Sequence, residues 1–367
     1  MKTTSRHSIF CILPPHVLIS IAKNAPTAEQ RAAAIDALGV DHSIRTERQA
    51  AALMGQLQAS TLASVSLDDA GQPQDHRTIY DCRQTNSLPG TLARTEGQGA
   101  VADDSVNRAY DGLGATFDFY LNNLNRNSID NKGLPLVASV HYGQNYDNAF
   151  WNGQQMVFGD GDGVLFNDFT IPLDVIGHEL THGVTGSEAN LIYHRQPGAL
   201  NESISDVFGS MVKQYKNGET VDKADWLIGK GLLTARVNGT ALRSMAAPGT
   251  AYDDPVLGKD PQPADMQHYV NTPSDNGGVH INSGIPNHAF YLAATSIGGY
   301  AWTGAGLVWY DTLLDKNLKA TANFAAFANL TVRHAGTRFG VGSSQQKAVT
   351  EAWQKVGVLK KASQKGA

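Results

Sequence analysis

Apolar and polar positions change their spacing about midway along the chain. Between about His76 and Phe169 the apolar residues come in short runs, Thr78-Ile79-Tyr80, Leu136 to Tyr142 and Gln155 to Phe158, separated by Gly, Asp and Asn. That is the pattern of strands and turns. One helix, about Val106 to Leu124, is embedded among them. Beyond Pro172 the apolar positions step by three and four through Leu173, Ile176, Leu180 and Val184, the period of a helix with one buried face. Further helices are predicted at about Glu202 to Tyr215, Ser283 to Ile297, Gly304 to Leu314, Thr321 to Ala335 and Ser344 to Val356. Ahead of the strands, Thr27 to Leu57 is rich in Ala and Leu and prone to helix, and a polar link follows at Ser66 to Gln74. Strands early and helices late predict an α+β chain of two lobes.

Composition narrows the class. With 41% hydrophobic and 17% charged residues over 367 positions, the chain can pack cores in two or three domains at roughly 150 residues each. A net charge of −5 supplies no cationic excess, which argues against nucleic acid or an anionic membrane as partner. No apolar run approaches the ~20 residues that span a bilayer. Cys11 and Cys82 are too few for a disulfide framework or a four-thiolate metal site. Lys2, Arg6 and His7 ahead of Ile9 to Leu13 look like the start of a secretory signal, but Pro14-Pro15-His16 interrupts the apolar stretch and no small-residue cleavage site follows.

The chemistry concentrates in Val175-Ile176-Gly177-His178-Glu179-Leu180-Thr181-His182. On a helix, His178 and His182 lie one above the other and can share a metal ion, with Glu179 placed to take a proton from water on that metal. The alternative is a pair of histidines on an ordinary amphipathic helix. A catalytic zinc wants a third protein ligand and an open position. Downstream, Asn201-Glu202-Ser203-Ile204-Ser205-Asp206 again sets two acids four apart, so Glu202 can bind metal while Asp206 accepts a hydrogen bond from a ligand imidazole.

His-Glu-x-x-His followed by Asn-Glu-x-x-x-Asp resembles the metal-binding pattern of the thermolysin-family zinc metalloproteases. Further stretches match that family in order: Asn148-Ala149-Phe150-Trp151-Asn152-Gly153, Gly159-Asp160-Gly161-Asp162-Gly163, Tyr193 before Gln196-Pro197-Gly198-Ala199, Arg243-Ser244-Met245, and Asp275 to Gly284 with His280 inside it. The similarity runs from about His76 to Val358, and the short leader with its Pro-Pro resembles the protealysin-like subgroup. The resemblance implies a two-lobed zincin, with the zinc helix at the junction of a β-rich lobe and a helical lobe. It implies one catalytic Zn²⁺ on His178, His182 and Glu202, with Asn201 and Asp206 behind the ligands and Glu179 as general base. Tyr193 and His280 would donate to the oxyanion, and Asp275 would orient His280. Asn148, Ala149 and Arg243 would dock the substrate backbone. Phe166, Phe169, Val175, Ile228 and Leu242 would form an apolar primed-side pocket, where burial yields about 25 cal/mol per Å². The activity implied is that of a neutral endopeptidase cleaving on the amino side of large apolar residues, with protein or peptide substrates and a monomeric chain as the expectation. Secretion is usual for the family, and residence in the cytosol is the alternative.

The sequence departs from the family at the double calcium site near the zinc helix. Asp174 and Asp225 keep two of its acids, but Lys213, Leu227 and Lys230 stand where the family has Glu. Ammonium groups cannot supply the six to eight oxygens of a calcium ion, so the double site is expected to be absent and Lys213 and Lys230 to pair with Asp174 and Asp225; one peripheral ion is compatible with the rest of the sequence. Gly159 to Gly163 reads as a hairpin turn. The leader, Phe10 to Leu18 with Cys11, Pro14 and Pro15, is apolar and stiffened by proline. It is expected to lie in the cleft as an inhibitory propeptide, with Cys11 as a small apolar filler or a ligand to zinc. The expected segments are a propeptide at 1–50, a link at 51–75, the β-rich lobe at 76–172, the helical lobe at 173–358 and a loose tail at 359–367, with self-cleavage between about Thr46 and Ser66. An aminopeptidase is disfavoured because no acidic clamp for a free amine is found. Glu179 speaks against a zinc protein that only binds, and nothing favours an inert structural module.

Overall fold

The computed structural model describes residues 10–40 and 73–360. The expected propeptide end near residue 50, the self-cleavage region and most of the tail lie outside the described residues. In chain order the first part comprises β1 (Phe10–Cys11), α1 (Pro15–Asn24), α2 (helical over 28–40), β2 (Arg77–Thr85), β3 (Thr91–Thr95), α3 (Asp104–Leu124), β4 (Leu136–Tyr142), β5 (Ala149–Trp151) and β6 (Met156–Phe158). The second part comprises α4 (Leu173–Ser187), α5 (Arg195–Asn217), β7 (Leu227–Ile228), β8 (Arg243–Ser244), β9 (Asp253–Asp254), β10 (Gly258–Lys259), α6 (Asp275–Asn282), α7 (Gly284–Ile297), α8 (Ala305–Leu313), α9 (Phe324–Phe339) and α10 (Ser344–Lys355).

Six strands form one mixed sheet in the order β1-β5-β6-β4-β2-β3. The central pairs β2/β4 and β4/β6 are parallel, while β5 runs antiparallel to both β6 and β1. Helix α3 packs on this sheet through β2 and β4. It starts where Asp103 accepts hydrogen bonds from the Ser105 and Val106 amides, and it ends at Asn125 in the left-handed conformation. The second lobe is mainly helical, around an aromatic core in which Trp309 and Trp353 stack 5.9 Å apart. The chain therefore has the two-lobed α+β architecture expected, with α4 touching β5 and β1 of the sheet on one side and α5 of the helical lobe on the other.

Two local features differ from the periodic reading. In the leader, Pro15 occupies the first turn of α1, so the Pro-Pro pair ends an extended segment and starts a helix, a position where the missing N–H costs nothing. Ahead of α7, residues 275–278 turn through positive φ (52°, 49°, 84° and 79°) before a short helical turn that carries His280. No helical period announces that turn, because Gly277 and Gly278 supply the left-handed backbone that other residues resist.

Candidate active site and metal centre

Helices α4 and α5 run antiparallel and approach until their backbones touch. A Cβ built at Gly209 would lie 2.4 Å from Asp174 O and 2.9 Å from His178 N, and one at Gly177 would lie 3.0 Å from the Gly209 Cα. Only glycine at both positions permits this approach. Glu202, two turns before Gly209, is thereby carried beside the imidazoles of α4.

The three groups form a small triangle. His178 Nε2 and His182 Nε2 are 3.0 Å apart, and each lies 3.5 Å from a Glu202 carboxylate oxygen. All three side chains are buried. His178 Nδ1 donates to Asp206 Oδ1 at 2.8 Å and His182 Nδ1 to Asn201 Oδ1 at 2.8 Å. Asn201 Nδ2 points to Leu191 O, which fixes its oxygen toward the ring. With both Nδ1 atoms donating, the two neutral rings turn their Nε2 lone pairs on one another and on a carboxylate, a repulsive arrangement unless a cation lies among them. Donors about 2.0–2.1 Å from one tetrahedral zinc are about 3.4 Å apart, close to these separations. Among the described residues this is the one group of three or more acids, histidines or cysteines close enough to hold a metal ion. The residues fit zinc.

A second layer fixes these ligands. Burial would raise the pKa of Asp206, but the Arg243 guanidinium and the His178 ring hold it well below the usual carboxylate range. Arg243 bonds Asp206 through both Nε and Nη2 at 2.8 Å, and Asn287 Nδ2 adds a third donor at 2.8 Å. Asn287 was not singled out from the sequence, since a lone Asn in a helix carries no spacing signal.

Tyr193 and His280 border the triangle at Glu202, with His280 Nε2 3.4 Å from its Oε2. Trp151 N donates to Glu179 Oε2 at 3.2 Å. The Tyr193 hydroxyl donates to Glu202 and lies 3.2 Å from His280 Nε2. Asp275 holds His280 twice, with Oδ1 2.6 Å from Nδ1 and Oδ2 accepting the His280 amide at 2.8 Å. Phe166, Phe169, Val175, Ile228 and Leu242 are all buried, with the two phenyl rings 5.8 Å apart.

The leader crosses this site. Cys11 pairs with Phe150 in the sheet, Ile12 N donates to Ala149 O at 3.2 Å, and Leu13 N donates to Asn148 Oδ1 at 3.0 Å. Arg243 Nη1 donates to Ile12 O at 3.2 Å, and His280 Nε2 donates to Cys11 O at 3.2 Å. Every residue expected to bind a substrate backbone thus touches the leader backbone. Behind α4, Lys213 Nζ bonds Asp174 Oδ2 at 2.7 Å, Asp225 Oδ1 at 2.9 Å and Leu227 O at 2.7 Å, while Lys230 lies 3.4 Å from Asp225. Burial works against the Lys213 charge, but Asp174 and Asp225 raise its pKa above the ordinary value.

Residues 54–186 match the family model described as thermolysin metallopeptidase, catalytic domain, and residues 189–358 match its alpha-helical domain. An extracellular metalloprotease of Pectobacterium carotovorum subsp. carotovorum is 52% identical over 95% of this chain and 96% of its own length. Protease PrtS of Photorhabdus sp. (strain Az29) is 47% identical over 95% of this chain and 91% of its own. The solved structure of the precursor of protealysin, a metalloproteinase from Serratia proteamaculans, superimposes with a TM-score of 0.85 at 53% identity, covering 95% of this chain and all of that one.

Proposed function

This chain belongs to the thermolysin family of metallopeptidases and is a zinc-dependent endopeptidase of the protealysin-like kind, and from that premise we propose how its residues divide the work. His178 and His182, through Nε2, and Glu202 would hold the zinc. When bound, the ion supplies a Lewis acid that polarises the scissile carbonyl and acidifies water. Glu179 takes the proton of the attacking water and returns it to the departing amine. Tyr193 and His280 donate to the carbonyl oxygen as it gains charge, the step where fixed donors are worth several kcal/mol. Asp275, bonded to Nδ1 and to the His280 amide, orients the ring so that Nε2 faces the carbonyl oxygen. Arg243, Asn148 and Ala149 align the substrate backbone, and Asp206 couples that alignment to His178 because it accepts from both Arg243 and the ligand ring.

One observation carries the reading: a peptide already lies on these groups. The leader offers Cys11 O to His280, Ile12 O to Arg243 and the Ile12 and Leu13 amides to Ala149 and Asn148. It is the intramolecular inhibitor of a precursor, and residues 1–50 are the part removed on activation. Cleavage falls on the amino side of large apolar residues, consistent with the buried apolar pocket. Lys213 stands in for calcium beside the zinc helix, and the active chain is a secreted monomer. Glu179→Gln tests the centre of this account: casein hydrolysis should vanish while elemental analysis still finds one zinc per chain. Residual hydrolysis at a tenth of the parent rate or more would remove Glu179 from the role of base.

A further inference from the structure

His16, the second residue of α1, is carried into the interface with the catalytic lobes by the leader docking proposed above, on which its role depends. Its Nε2 lies 3.1 Å from the Tyr252 hydroxyl. Its Nδ1 is sealed from solvent and has no hydrogen-bond partner among the described residues. The neutral ring suits this setting, because Nε2–H can donate to Tyr252 while Nδ1 keeps a bare lone pair. A second proton would place an N–H at Nδ1 with nothing to accept it, the costly kind of buried donor.

The surrounding charges act in the same sense overall. Arg243 on β8 and His280 on α6 oppose a charge on the ring, Asp275 on α6 favours it, and Tyr252 is kept neutral by its own burial. Burial is the largest influence, and together these lower His16 from its ordinary value to about 4. With the leader lifted, the ring stands in water and titrates near 6.5.

We propose that His16 makes the leader an acid-released latch: the docked leader excludes the protonated imidazole, so acidification favours undocking and opens the substrate cleft. The sign follows from linkage, since the docked form binds fewer protons than the undocked form between about pH 6.5 and about 4. Docking is fully favoured above that window and weakens as pH falls through it. At about pH 5 the two titrations imply that docking is weakened roughly 20-fold relative to about pH 7.

The test uses the full zinc-loaded chain carrying Glu179→Gln, which prevents self-processing, beside the same chain with His16→Gln added. Amide hydrogen exchange over residues 10–24 reads leader opening in both, and comparison at equal pH cancels intrinsic exchange and any loss of metal. The two should be equally protected at neutral pH, and the parent leader should open about 20-fold more than the His16→Gln leader at about pH 5. Equal opening at both pH values, with the leader protected at neutral pH, overturns the latch alone. Free-chain exchange of both leaders at neutral pH overturns the docking as well. Independently, isotope-edited NMR of the Glu179→Gln chain should show His16 titrating near 4 while docked; titration near 6.5 with the leader protected also overturns the latch.

Discussion

Replacing Lys213 by Met removes an ammonium from the floor of the zinc helix while keeping most of the stem's volume. In the native protein that group touches Asp174, Asp225 and Leu227 O. Asp225 is partly exposed and keeps the Leu227 amide and Lys230 as partners. Asp174 is fully buried, one turn before His178, and among the described residues keeps the Gly229 amide alone, at 3.0 Å. The cost is therefore mainly that of an uncompensated buried carboxylate, about 3–5 kcal/mol. At an unfolding entropy of about 2.1 cal/mol/K per residue, that lowers Tm by about 4–8 °C for the described part of the chain. Differential scanning calorimetry of the zinc-loaded Glu179→Gln background, where autolysis cannot confuse the transition, measures it. Lys213→Glu should be destabilised further in the absence of calcium and should recover in millimolar Ca²⁺, since three acids and a carbonyl then converge where the ammonium was. A Lys213→Met chain melting within about 1 °C of its parent would refute the substitution of an ion pair for a metal.

Gly209→Ala should lower stability and zinc affinity together, because its Cβ meets the backbone of α4 at 2.4 Å and pushes Glu202 away from the histidines; a chelator competition assay showing unchanged affinity would contradict this. His141 lies between Asp160 at 2.7 Å and Asp103 at 2.9 Å, and Asp160 foremost, against burial, raises its pKa to about 9. Its folded-state pKa exceeds the unfolded value, so its contribution to stability is whole below about pH 6.5 and fades as pH rises through about 9. The Tm gap between parent and His141→Gln should narrow over that range, and a constant gap would count against the charged bridge. Arg243→Lys keeps the charge but loses the fork that holds Asp206 while reaching Ile12 O, so KM for a peptide substrate should rise by about tenfold or more even where zinc is retained. An unchanged KM would place substrate alignment elsewhere.

Much of this molecule is legible in its sequence. The strand runs read before Pro172 and the helical steps read after it correspond to the sheet of β2 to β6 and to helices α4 to α10. Leu136 to Tyr142 is a strand with the bounds read from it, and the helix read from Val106 to Leu124 begins two residues earlier, at Asp104, directly after its Asp103 cap. Strand β3 escapes that reading because Thr91-Leu92-Ala93-Arg94-Thr95 holds no apolar run, and the turn of helix under His280 escapes it because its first four residues lie at positive φ.

The placement of His178 above His182 needs nothing but the helical repeat, a local property of the backbone, and so it can be read from eight consecutive residues. The approach of Glu202 is different, since it depends on two glycines in separate helices that let their backbones touch. The same holds for Arg243 on Asp206, for His280 brought over the ligands by a left-handed turn, and for the leader strand laid along β5. Those contacts join residues far apart in the chain, and they exist only once packed surfaces have closed the distances. Local geometry named the chemistry, and tertiary packing assembled the site that can perform it.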